Sequence, residues 1–294
     1  MLDYKLLQAL AMVIQEGGFD KAARHLGLTQ SAVSQRIKLL EDQMGHLLVT
    51  RTNPPGATAP GKALLKHYIQ VQNLEADLET FLTIPDSPEN RVLSVGINAD
   101  SLATWFLPAV RGFLDSHPVV LDLKVDDQDE THQLLRDGEV AGCISSEKTA
   151  VQGCRVAFIG TMYYDLVASP DFARRYFPQG VTPDHAAQAP AVIFNRKDDL
   201  HHRYFRSLWG RGGIPPFPIH YVPSSEAFVD MVVHGLAYGM VPRHQARADL
   251  ESGALIPLSP GGSLGVDLYW HRWNLSSALL DEFSRAIVEN AVIC

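Results

Sequence analysis

Along the first sixty residues, apolar side chains recur at helical spacing and are interrupted by glycine. Leu6, Leu7, Leu10, Val13 and Ile14 define an amphipathic helix stopped at Gly17-Gly18. Phe19, Ala22, Ala23 and Leu26 define a second, ended by Gly27, whose two alanines allow a crossing helix to approach closely. Thr29 then predicts an N-cap for a third helix, with Val33, Ile37, Leu40 and Met44 inward and Gly45 as the stop. Ser31, Ser34, Gln35 and Lys38 fall at i, i+3, i+4 and i+7 on its opposite face. A β-prone run, Leu47-Leu48-Val49, and a turn at Pro54-Pro55-Gly56 follow. Residues 61–82 read as one long helix whose Leu64, Val71, Leu74, Leu78 and Phe81 fall near heptad positions. Thr83–Asn90, with two prolines, reads as a hinge.

From Arg91 the period changes. RVLSVGIN, VVLDLKVDD and AGCISS read as strands, separated by one helix over SLATWFLPAVRGFLDSHP and another over THQLLRDGEV, the βαβ rhythm of a covered parallel sheet. A second set of the same kind runs from VAFIGTMYYDLVA through PAVIFN to a helix spanning SSEAFVDMVVHGLAYGM. The strand LGVDLYWHRW and the helix SSALLDEFSRAIVEN close the chain. The expectation is an α/β protein: a winged helix-turn-helix over 1–60, a linker helix and hinge over 61–90, and a two-lobed body over 91–294.

Charge sharpens this division. The 294 residues carry a net −8, but residues 1–66 hold eight Lys and Arg against five Asp and Glu, a net +3, and the remainder holds 17 against 28, a net −11. A small basic head is joined to an acidic body. No apolar run approaches the roughly 20 residues a bilayer needs, and the first 15 residues carry helix periodicity without a small-residue cleavage site, so a cytoplasmic protein is expected. Three cysteines without a C-x-x-C pair give neither a disulfide framework nor a zinc finger.

Short hydroxyls on the third helix let it sink into a major groove, where Gln35 can pair with a base edge and Arg36 or Lys38 can meet phosphate. A solvated helix face is the competing reading, although it more often supplies long Glu and Lys pairs. Arg51 in the wing suits a phosphate contact. In the body, Asn98-Ala99-Asp100-Ser101 leaves a strand and opens a helix, offering backbone N–H groups and a hydroxyl to a carboxylate, although Ser101 as a plain N-cap fits the same pattern. Asp126-Asp127-Gln128-Asp129-Glu130 ends another strand with dense negative charge, and Ser224-Ser225-Glu226 begins a helix of the second lobe. N–H groups at one end and carboxylates at the other fit a zwitterion with an extra positive charge. A merely solvated acidic surface remains the alternative. Asp198, Asp199, His201 and His202 lack metal-ligand spacing, and Asp198 and His201 are read as polar groups of a cleft lid.

Ser31-x-x-Ser34-x-x-Ile37-x-x-Leu40-Glu41-x-x-Met44-Gly45-x-x-Leu48-Val49-x-Arg51, followed by Thr58-x-x-Gly61, resembles the winged helix-turn-helix of LysR-type transcriptional regulators. It departs at Val49, where the family usually has Phe, and at Pro54-Pro55-Gly56, where the wing commonly carries a second Arg. NADSLATW, the loop Phe194–His201, the stretch Ser224–Val229 and the ending Tyr269–Arg272 are similar to the lysine- and arginine-responsive subgroup. The resemblance implies DNA contacts from Thr29, Gln30, Ser31, Ser34, Gln35, Arg36, Lys38, Arg51 and Thr52. It implies a periplasmic-binding-protein-like effector domain, with lobe I over 91–160 and 266–294, lobe II over 161–265, and chain crossings near Gly160 and Gly265. Its effector site would draw on Asn98, Asp100, Ser101, Leu102 and Trp105, on Asp126, Asp127 and Asp129, and on Phe194, Asp198, Ser224, Ser225 and Glu226. No cofactor is implied beyond an effector, L-lysine or L-arginine, switching promoters of basic amino acid export or metabolism genes. Partners would be duplex DNA, further copies of the chain as a homodimer or homotetramer, and RNA polymerase; activation and repression are equally open. The alternatives are a transport-associated solute receptor, which leaves the first 66 residues unexplained, and an enzyme, for which no G-x-S-x-G, Walker, H-E-x-x-H or Rossmann fingerprint appears.

Overall fold

The computed structural model describes residues 2–81, 91–126, 131–210, 212–259, 261–275 and 277–293. The expected hinge, Thr83–Asn90, lies outside the described residues.

The head is built as the glycine punctuation predicts. α1 (Tyr4–Gln15), α2 (Phe19–His25) and α3 (Gln30–Met44) bury Leu7, Leu10, Val13, Ala22, Val33 and Leu40 in one core. The Thr29 hydroxyl caps α3 by accepting from Ala32 N at 3.2 Å, worth about 1 kcal/mol, and Gly45 ends it at φ +69°. The Glu41 carboxylate accepts from Leu48 N at 2.8 Å and so pins the start of the wing to α3. The wing is smaller than its β-prone run suggested. It forms a single bridge, Val49 to Ala57, closed by Thr50 N to Gly56 O at 2.7 Å, and Leu47 stays exposed.

α4 (Ala59–Phe81) is the long helix. Leu65 and Tyr68 are buried in the head core and Leu64 packs beside them, while Leu74 of the heptad series is exposed on the single chain. Each buried side chain contributes about 1.5–3 kcal/mol to holding helix and head together.

The body begins with β1 (Arg91–Asn98), α5 (Ala99–Thr104), α6 (Phe106–Ser116), β2 (Val119–Asp126), α7 (Thr131–Arg136) and β3 (Gly142–Ser145). It continues with β4 (Cys154–Ala168), α8 (Pro170–Tyr176), α9 (Pro183–Ala186), β5 (Ala191–Ile193), α10 (Leu200–Trp209), β6 (Ile219–Tyr221) and α11 (Ser225–Val233). β7 (Gly239–Pro242), α12 (Arg243–Ser252), β8 (Ile256–Pro257), β9 (Ser263–Trp273) and α13 (Ala278–Asn290) complete it. β1 pairs in parallel with β2 and β3, as expected. The second half is not a repeat of the first. β4 and β9 are long antiparallel strands, paired from Cys154–Trp273 to Asp165–Ser263, with the ladder irregular between Phe158 and Gly160. They join both lobes into one curled sheet of order β2-β1-β3-β9-β4-β7, with β8 pairing β4 off that path; the short β5–β6 pair forms a second sheet.

Three elements depart from the pattern reading. The segment after β1 is two helices rather than one, broken at Trp105 (φ −107°, ψ −22°), because Pro108 has no N–H and is tolerated in the first turn of a new helix. The helix from Ser225 stops at Val233, and Gly239–Pro242 is a buried strand; a short apolar run cannot be told from a buried helix by period alone. α10 was missed because its charged and histidine-rich composition hides the inward set Leu200, His201, Tyr204 and Phe205.

Candidate functional site

Two polar surfaces stand out, one on each part of the molecule. On α3, Ser31, Gln35 and Lys38 are exposed, and Ser34 and Arg36 are half-buried at its edge. The inward stripe holds Val33, Ile37 and Leu40, so the face bearing the short hydroxyls is turned to solvent. Gln30 is exposed in the first turn; Thr29 is occupied as the cap and lies 3.0 Å from the Ser31 hydroxyl. In the wing Arg51 is exposed, while the Thr52 hydroxyl donates to Pro54 O at 2.8 Å and so shapes the turn. Lys21 and Arg24 on α2 line a surface groove with Glu16 and His25. Lys21 and Arg24, two cations three residues apart, are legible in the sequence as a second basic surface.

The second surface is internal. β1 delivers Asn98 to the carboxyl edge of the parallel strands, directly in register with Asp126 at the end of β2. Asn98 is the N-cap residue of α5, but its side chain makes no capping bond. Ser101 is therefore not the cap; it lies inside α5 and is completely buried. Asn98 Oδ1, Ser101 Oγ and Trp105 Nε1 are all buried without a hydrogen-bond partner among the described residues. Each such group costs about 1–3 kcal/mol, so three of them in residues 98–105 are an expense that packing alone does not explain. Leu102, between them, is half-buried against the main core.

Asp100 joins the lobes. Its Oδ1 accepts from the Ser225 hydroxyl at 2.7 Å and its Oδ2 from the Tyr164 hydroxyl at 2.8 Å. Burial raises its pKa, opposed by those two bonds, and the Glu226 charge adds to the rise. Gln245 completes the junction: its Oε1 lies 3.0 Å from Ser225 Oγ, and its Nε2 donates to Ser225 O at 3.3 Å. Ser224 caps α11 by accepting from Ala227 N, and Glu226 is exposed. Asp198 accepts from Phe194 N at 3.1 Å and Leu200 N at 2.9 Å, stapling the loop between β5 and α10, with Phe194 half-buried. Its pKa too is raised by burial, with Asp100 and Asp199 adding to the effect. The Asp100 charge thus adds to the cost of ionising Asp198, and a cation near them would relieve it.

Asp126 is placed by the β1–β2 register, while Asp127 and Asp129 lie outside the described residues. His201 does not belong to a lid: it is buried in the aromatic core of lobe II against Phe205, Phe217 and Tyr238, where burial lowers its pKa to about 3. Tyr164 and Gln245 carried no signal in the sequence, because one sits inside a strand and the other in a helix without a motif. No group of three or more metal-ligating side chains occurs among the described residues.

An exposed helix-turn-helix joined to a two-lobed body with a polar junction between its lobes is the architecture of a ligand-responsive DNA-binding regulator. Family models agree: "Bacterial regulatory helix-turn-helix protein, lysR family" matches residues 4–62 and "LysR substrate binding domain" matches residues 86–292. The chain belongs to the LysR family of transcriptional regulators. It is 46% identical to the HTH-type transcriptional regulator ArgP of Aeromonas salmonicida, over 98% of this chain and 96% of that one. Among solved structures it is similar to ArgP from Mycobacterium tuberculosis, with TM-score 0.84 and 37% identity over 99% of this chain and 98% of that one. It is also similar to full-length LysG from Corynebacterium glutamicum with bound effector Arg, with TM-score 0.73 and 33% identity over 99% and 98%. The helix-turn-helix match rules in favour of a regulator over a transport receptor, and the curated relatives are regulators rather than enzymes. Among the described residues no helix is long and apolar enough to cross a membrane.

Proposed function

We propose that the chain is a cytoplasmic, homo-oligomeric regulator that senses L-arginine or L-lysine between lobe I (91–160 and 266–294) and lobe II (161–265), and reads its operator with α3. The observation that carries the sensing half is the set of unpartnered buried atoms on Asn98, Ser101 and Trp105, taken with the buried carboxylates Asp100 and Asp198. The neutral donors and acceptors suit the amino acid's α-carboxylate and α-ammonium ends; the carboxylates suit its side-chain cation, a guanidinium taking a carboxylate in two parallel bonds. A carboxylate has about four lone-pair sites, so Asp100 can add a ligand contact to those from Ser225 and Tyr164. An effector held there touches both lobes and binds one arrangement of them better than the other. A difference of about 1–3 kcal/mol is enough to change operator affinity five- to a hundredfold. The relative with bound effector Arg supports this choice of ligand.

On DNA, Ser31 and Ser34 let α3 approach the bases, Gln35 reads an edge, and Arg36, Lys38 and Arg51 meet phosphates, joined by Lys21 and Arg24 from α2. RNA polymerase is the partner through which operator binding acts on promoters of basic amino acid export or metabolism genes. The test is a thermal-shift screen of the twenty amino acids on the full chain, followed by operator footprinting. Arginine or lysine should raise the midpoint and alter the footprint while neutral amino acids do neither; a shift by neutral amino acids alone would overturn the assignment.

A further inference from the structure

α4 belongs to two bodies at once. Leu65 and Tyr68 are buried in the head, while Lys62 and Lys66, one turn apart, meet lobe I. The Lys62 ammonium pairs with the carboxylate of Asp137, whose side chain is only 17% exposed and whose Oδ1 accepts from Gln133 Nε2 at 2.8 Å. The Lys66 ammonium sits 4.2 Å from the ring centroid of Trp273, whose indole N–H donates to Val140 O at 3.1 Å. Between these contacts Gly138, at φ +78°, lies flat against the helix: a methyl group there would fall 2.5 Å from Lys66 Cα. Close backbone approach, an ion pair and a cation over an indole converge from residues 137–140 and Trp273 onto one turn of α4.

The gripping turn is the far end of α7. That helix is six residues long, too short to bend, and its first residue, Thr131, is buried with its hydroxyl bonded to Ile144 O. Its first turn packs on β1 beside the ligand segment: a methyl group on Gly96, two residues before Asn98, would lie 3.5 Å from Thr131 O. We propose that the Asp137-Gly138 turn is a latch that holds the linker helix, and with it the head, at a fixed angle to lobe I, and that α7 transmits effector occupancy to it. The grip rests on the contacts alone; the transmission rests on the effector reading above.

Full-length chains carrying Lys62→Glu, Asp137→Lys or both test this, with amide hydrogen exchange in 61–69 and 133–141 measured first without any amino acid. Each single variant should speed exchange in both segments about fivefold, and the charge-swapped double variant should restore protection. Unchanged exchange, or loss that the swap does not recover, would overturn the latch. Operator affinity is then measured with and without L-arginine, as a ratio so that the charge change at Lys62 cancels. The ratio should fall toward one in Lys62→Glu while arginine affinity without DNA is unchanged; a retained ratio would overturn the transmission step. If wild type does not bind arginine at all, the effector reading fails, and with it the transmission step, whereas the latch is still decided by exchange.

Discussion

Both the outer face of α3 and the β1–α5 segment carry small polar side chains at helical spacing, but they treat water in opposite ways. Ser31, Gln35 and Lys38 remain hydrated in the free protein, whereas Ser101 is fully enclosed and Asn98 is 3% exposed, their oxygens unpartnered among the described residues. A surface meant for a polyanion of fixed shape needs no sacrifice of stability, since water satisfies it until DNA arrives. A pocket that must respond to one small molecule instead keeps part of its hydrogen bonding unmade, so that the ligand's arrival changes the balance between lobe arrangements.

The comparison has a control in lobe II, and it gives the largest expected effect. His201 is also buried with both nitrogens unpartnered among the described residues, yet it sits among the rings of Phe205, Phe217 and Tyr238. Its folded pKa is about 3 and the ordinary value is 6.5, so between those limits the unfolded chain binds the extra proton. Its contribution to stability is therefore fully present above pH 6.5 and is lost as pH falls, by up to about 1.4 kcal/mol per pH unit. Chemical denaturation from pH 7 to 4 should show that slope flattened in His201→Phe, with arginine affinity at pH 7 unaltered. Asp100→Ala comes next: calorimetry should show arginine binding weakened about a hundredfold, because a charge-assisted contact and the lobe junction go together, while operator affinity without effector is retained. Gln35→Ala should reduce discrimination at one base pair by about 1–3 kcal/mol in a competition footprint and leave the melting midpoint where it was. Ser101→Ala is the smallest and most pointed: removing an unsatisfied hydroxyl should raise the ligand-free stability by about 1 kcal/mol while weakening arginine about tenfold. A lowered ligand-free midpoint would erase the distinction between the two surfaces.

How much of this was legible follows the same division. Gly17, Gly27 and Gly45 and the Thr29 cap are local signals, so the head could be drawn residue by residue from its periodicity. The polar face of α3 was legible because exposure on an isolated amphipathic helix is set by its own stripe. The cleft depends on contacts between residues far apart in the chain. Asp100 meets Ser225 across 125 positions and Tyr164 across 64, and nothing local marks Tyr164 or Gln245. Composition located the negative charge in the run Asp126–Glu130, but the burial of Asp100 and Asp198, 98 positions apart, comes only with folding. The antiparallel β4–β9 ladder was hidden for a similar reason: a strand's direction is decided by its partner, and the partner of Cys154 is Trp273.

The central claim is that the buried unpartnered atoms of residues 98–105 are the effector's hydrogen-bond partners. The indole N–H of Trp105 tests it most directly, because Trp270 and Trp273 in the same chain have theirs bonded to Ser284 and Val140 and serve as internal references. Titrating L-arginine into the tryptophan-labelled protein and following the indole N–H resonances by NMR should move the Trp105 signal to saturation and leave those of Trp270 and Trp273 in place. A Trp105 resonance that stays still while arginine binds would contradict the account.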